Sequence, residues 1–117
     1  MKILVIHDEK ILQKMFREIF SEDEVFMASH GREAIGILKD SGQIDVALIN
    51  VEDGRGMGGA ETVEEIKKID KNVKAIAISG YPWRAPEIVH PEKFQFDNSI
   101  ESPFILEDIV SKVRAYG

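Results

Sequence analysis

The sequence predicts an α/β domain with a parallel five-stranded sheet and helices on both of its faces, and three observations carry that expectation. Three short runs, ILVI at 3–6, VALI at 46–49 and AIAI at 75–78, are almost wholly apolar. Strands covered on both faces read this way, whereas a half-exposed strand alternates apolar with polar residues. Helical patterns fall between the runs, and strands alternating with helices imply parallel pairing through right-handed crossovers. A chain of 117 residues that is 44% apolar has the size and content of one domain with one continuous core, so a single domain is expected over 1–117.

The remaining elements follow in order. Residues 9–21 place Ile11, Leu12, Met15, Phe16, Ile19 and Phe20 on one stripe of a helix. EVFMA at 24–28 is the second strand. Ser29 is expected to cap a helix over 32–40 that carries Ala34, Ile35 and Leu38 and ends at Gly42. Val63, Ile66 and Ile69 mark a third helix, and Leu106, Ile109, Val110 and Val113 the last. Pro82, Pro86 and Pro91 crowd the fourth helical region, and because each lacks an amide donor and restricts its neighbour, any helix there is short or distorted. FQFDNSI at 94–100 alternates enough for an edge strand. No repeat, linker or low-complexity segment interrupts this order.

Composition narrows the partners. With 15 basic and 21 acidic residues the formal charge is −6, which opposes non-specific attachment to nucleic acid or to an anionic membrane. The absence of cysteine excludes disulfides and thiolate metal sites. No apolar run approaches the roughly 18 residues that span a bilayer, and Lys2 leads straight into the first strand without a secretory segment, so a soluble cytoplasmic protein is expected.

In an open parallel sheet the functional crevice lies beyond the carboxyl ends of the strands. Those ends carry His7, Asp8 and Glu9; Asn50, Glu52 and Asp53; Ser79 and Gly80; and Ser102 and Pro103. At this rim the chain resembles the receiver domain of bacterial response regulators, over essentially its whole length. ILVIHDE is similar to the family's ILVVDDE, DVALIN to a third strand that ends on the phosphorylated aspartate, AIAISG to a fourth strand that ends on Ser or Thr, and ESPF to a Lys-Pro-Phe signature. The resemblance implies a flavodoxin-like fold with strand order 2-1-3-4-5 and a cis bond between Ser102 and Pro103. It also implies a role in phosphoryl signalling, in which a kinase histidine passes its phosphoryl group to an aspartate beside a bound magnesium ion.

This chain departs from that pattern where the chemistry is done. Asn50 stands at the phospho-acceptor position, and a neutral amide cannot form an acyl phosphate. Ser102 stands where the family has its lysine, so among the phosphate-binding side chains only Ser79 keeps its family type. His7 replaces one of the paired acids and Asp8 remains, which reduces three clustered carboxylates to one. Each lost carboxylate removes on the order of 1 to 4 kcal/mol of attraction for a unit of opposing charge, so magnesium is expected to bind weakly if at all. The loop VEDGRGMGGAE is longer than the family's and has no proline, and Ser99 takes the place of an aromatic switch residue.

Several chemistries compete for these residues. Asp8 with Glu52 and Asp53 would rebuild a cation site, against which stands ordinary solvation of loop acids. His7, lacking a second histidine at ligand spacing, is a poor zinc ligand and is expected to pair with Asp8 as an imidazolium that partly replaces the missing cation. Gly54, Gly56 and Gly59 satisfy a glycine-rich dinucleotide pattern, but Glu52 and Asp53 would repel its phosphates. A Ser-His-Asp hydrolase drawn from His7, Asp8, Ser79 and Ser102 lacks the G-x-S-x-G elbow. The expected role is therefore non-enzymatic: a pseudo-receiver acting through a protein partner, such as a histidine kinase or another signalling protein, with a homodimer as an open alternative. A small ligand-binding domain of the same fold is the competing reading. Trp83, Phe96 and Ser99, near the proline-rich stretch, are the expected contact surface.

Overall fold

The computed structural model describes residues 1–51, 58–80 and 86–117, apart from the side chain of Ile88. Its elements alternate as the apolar runs imply: β1 Lys2–Ile6, α1 Lys10–Ile19, β2 Glu24–Ala28, α2 Gly31–Ser41, β3 Val46–Asn50, α3 Gly59–Ile69, β4 Lys74–Ser79, α4 Pro86–Val89, β5 Asn98–Glu101 and α5 Leu106–Arg114. All strand pairs are parallel, in the order β2-β1-β3-β4-β5. The expected doubly wound (βα)5 sheet in the order 2-1-3-4-5 is therefore present.

The two-residue period of the strands explains why the runs are apolar throughout. Leu4, Ile6, Ala47, Ile49, Ala75 and Ala77 face one side, where they meet Ala34 and Leu38 of α2 and Val63 and Ile66 of α3. Ile3, Val5, Val46, Leu48, Ile76 and Ile78 face the other, against Phe16 of α1, Phe20, and Ile109 and Val113 of α5. Phe16 and Phe20 are fully buried, each worth about 2 to 3 kcal/mol of transfer free energy. With no side-chain cap on α1, this packing is what holds that helix in place.

Four details differ from the expectation. Helix α1 ends at Ile19 rather than Ser21. Helix α2 is capped by His30, not Ser29: the His30 Nδ1 accepts the Glu33 N–H at 3.3 Å, while the Glu33 Oε1 accepts the Ser29 N–H at 3.1 Å. Gly42 does end this helix, at a φ of 76° that suits glycine. Strand β5 starts at Asn98, because Pro91–Phe94 forms a 3-10 turn closed by Gln95 in the left-handed region at φ 68°. Finally, Phe96 is 4% exposed and packs into the α2–α3 side of the core, so it does not belong to a contact surface. The prolines act as expected, since α4 spans only four residues before that turn.

Candidate functional site

Parallel register brings the strand ends to one rim. Ile6 pairs with Ala28 and with Ile49, Asn50 with Ile78, and Ser79 with Glu101. Backbone bonds continue the sheet one residue further: His7 N–H to Ala28 O at 3.0 Å, Val51 N–H to Ile78 O at 3.1 Å, and Ser102 N–H to Ser79 O at 3.0 Å. His7, Asp8, Asn50, Ser79 and Ser102 therefore line one crevice, and the bond between Ser102 and Pro103 is cis, as the family resemblance implied.

At the centre, the Asn50 Nδ2 donates to Asp8 Oδ1 at 3.4 Å, a long bond from a buried amide to a carboxylate that is 36% exposed. An N–H donor thus points at the one clustered carboxylate the sequence retains. The His7 ring approaches the same oxygen, its Nδ1 3.6 Å from Asp8 Oδ1. The same Nδ1 accepts the Glu9 N–H at 3.1 Å. That bond helps to seat the first turn of α1. The side-chain amide of Gln13 holds the His7 carbonyl, which fixes the end of β1 further.

Ser79 is fully buried, while Ser102 is exposed at the mouth of the crevice. Among the described residues no buried side-chain nitrogen or oxygen lacks a hydrogen-bond partner, so the rim is internally satisfied. Also among the described residues, no three His, Asp or Glu side chains converge as a metal site. A hard dication needs several oxygen ligands, and the carboxylate beside Asn50, that of Asp8, is engaged by its amide. Glu52, Asp53 and Trp83 lie outside the described residues, as do Gly54 and Gly56 of the glycine-rich pattern. Ser99 is half-buried, and its carbonyl accepts the Lys112 Nζ at 2.6 Å.

The third glycine of that pattern has a packing role instead. A Cβ on Gly59 would lie 2.9 Å from Val51 Cγ1 and 3.0 Å from Val51 Cα, so α3 approaches the end of β3 at a distance only glycine permits.

Sequence reasoning missed a polar cluster at the opposite end of the sheet. Arg114 of α5 donates two bonds to the nearly buried Asp23 carboxylate, at 2.9 and 2.6 Å, and stacks over the Phe20 ring 5.5 Å from its centroid. The Met1 ammonium adds a bond to Asp23 at 3.2 Å. Hydrogen bonding to Arg114 holds the Asp23 carboxyl below its ordinary value of 3.8, against the opposing effect of burial. No local signal marks this pair, because its partners are 91 residues apart. Clefts of about 410 and 180 Å³ also lie at this end, lined by Asp45 and Gln43 among others, away from the rim that carries the motif residues.

No family model matches the chain. Over 117 residues it is 25% identical to sporulation initiation phosphotransferase F of Bacillus subtilis, an alignment that covers 98% of this chain and 92% of that protein. Its fold matches a response regulator receiver domain protein from Clostridium thermocellum with a TM-score of 0.86, over 98% of this chain and 92% of that one, at 23% identity. Chemotaxis protein CheY4 of Vibrio cholerae matches at 0.85, over 99% and 98%, at 19% identity. A structure of adenylate cyclase from Rhodopirellula baltica matches at 0.87, over 97% of this chain and 84% of that one, at 23% identity. The chain thus has the CheY-like, flavodoxin-like fold shared by receiver domains, and among the described residues no helix is long and apolar enough to cross a membrane.

Proposed function

We infer that this chain is a receiver-like signalling domain of a two-component phosphorelay system, acting through protein–protein contact without aspartyl phosphorylation and without catalysis of its own. One observation carries the reading: the residue at the end of β3 is an amide that donates to Asp8, where phosphoryl transfer needs an anionic nucleophile. The absence of a lysine at Ser102 supports it, since a transferred phosphoryl group would meet no ammonium from that position. Similarity to the Bacillus phosphotransferase supports the signalling setting.

The partner in this reading is a histidine kinase or another signalling protein. With Phe96 buried, the contact surface moves to the rim, where large apolar side chains stand in solvent: Ile11 at the start of α1 is 82% exposed, and Ile105 and Leu106 at the start of α5 are 55% and 56% exposed. Both helices open at the same rim and pack on the same sheet face. Magnesium, with Asp8 and Glu52 as its nearest candidates, is not required. Incubation with acetyl phosphate or phosphoramidate in millimolar magnesium, followed by intact-mass measurement, tests the chemistry. An unchanged mass is expected, and a phosphoryl adduct on Asp8 or His7 would refute the reading.

A further inference from the structure

We propose that His30 is a proton-sensitive cap, which closes the first turn of α2 at the rim only while its imidazole is neutral. Helix caps are normally hydroxyls, amides or carboxylates, whose ability to accept a bond does not change between pH 5 and 8. Here the acceptor is the Nδ1 of His30, bonded to the Glu33 N–H. Glu33 reaches back with its own carboxylate to the N–H of Ser29, one residue before the cap, so a second bond closes the same turn. Histidine is the side chain whose charge ordinarily changes in that pH range, and protonation turns Nδ1 from acceptor into donor. The Glu33 amide then loses its partner, and a cation sits at the positive end of a helix dipole.

Charged groups surround the cap. On the same element stand Glu33 and Arg32. On the neighbouring strand-to-helix turn stand His7, Asp8 and Glu9, and in the first turn of α3 stands Glu61. The turn that opens is next to the site, because His30 follows two residues after Ala28, whose carbonyl accepts the His7 N–H. A fall in pH would loosen the rim beside Asp8 without touching Asn50 or Ser79.

Amide hydrogen exchange by NMR, corrected for intrinsic rates, tests this between pH 7.5 and 5.5, a window in which carboxylates stay ionised. The Glu33 amide reports the cap, and the Ala34 amide reports closure of the turn, since it donates to the His30 carbonyl at 3.1 Å. In the wild-type chain both should lose protection by roughly five- to tenfold as the His30 ring signals titrate. In His30→Asp, whose cap keeps its charge over this range, protection should stay high and flat. Wild-type protection that holds steady through the ring titration would overturn the proposal, as would an equal loss in His30→Asp.

Discussion

At the scale of single residues, the proposed function turns on the charge of one atom. A carboxylate at position 50 would repel Asp8, whereas the Asn50 amide nitrogen donates to it. Restoring the acid should reverse this. Asn50→Asp places a buried carboxylate in contact with the partly exposed one of Asp8, and unfolding in urea with chelator present should show a loss of about 1 to 2 kcal/mol. Millimolar magnesium should return part of that loss in the variant and leave the wild type unchanged. Equal stability of the two proteins in chelator would mean that the Asn50–Asp8 contact is without energetic weight.

At the scale of elements, two glycines in helices have opposite meanings. Gly36 sits mid-helix on the exposed side of α2, and a Cβ there would meet nothing within 4 Å. Gly36→Ala should therefore stabilise the protein by about 0.5 to 1 kcal/mol, through lower backbone entropy in the unfolded chain, read as a higher urea midpoint with an unchanged slope. Gly59 is pressed against the Val51 backbone, and Gly59→Ala should cost about 1 to 3 kcal/mol as α3 is pushed off the end of β3. At the last helix, Lys112 ties α5 to the carbonyl of Ser99 and pairs with Asp108 at 3.3 Å, which couples β5 to α5.

At the scale of the whole molecule, the rim is assembled by the core and the opposite end is clamped by charge. Asp23, after α1, is gripped by Arg114 in the last helix, which fastens two distant parts of the chain across the α1–α5 face. Its carboxyl lies lower in the folded protein than in the unfolded chain, so the clamp stabilises the fold above about pH 4 and is lost as pH falls through the depressed folded value. Asp23→Asn should cost roughly 1 kcal/mol at pH 7, a modest figure because Arg114 is 44% exposed and solvent screens the pair. The gap between variant and wild type, followed by urea unfolding from pH 7 downward, should close below pH 4. A gap that persists at pH 2.5 would show that packing against Phe20, rather than charge, gives the pair its effect.

Much of this molecule was legible in its residues. Saturated apolar runs marked β1, β3 and β4, and the helical stripes marked α1, α2, α3 and α5, because burial imposes a period that local sequence must obey. The motif order located the rim residues, and the identities of Asn50 and Ser102 carry the proposed loss of aspartyl phosphorylation. What needed the tertiary structure was whatever depends on which groups meet. The choice of His30 over Ser29 as cap is a matter of angstroms in one turn. The burial of Phe96 follows from a left-handed residue at Gln95 that turns the chain before β5 begins. The acceptor role of the His7 ring, the contact of Gly59 with Val51 and the grip of Arg114 on Asp23 join residues through space. Periodicity carries no record of such contacts, because it reports which side of an element is buried and not what lies against it.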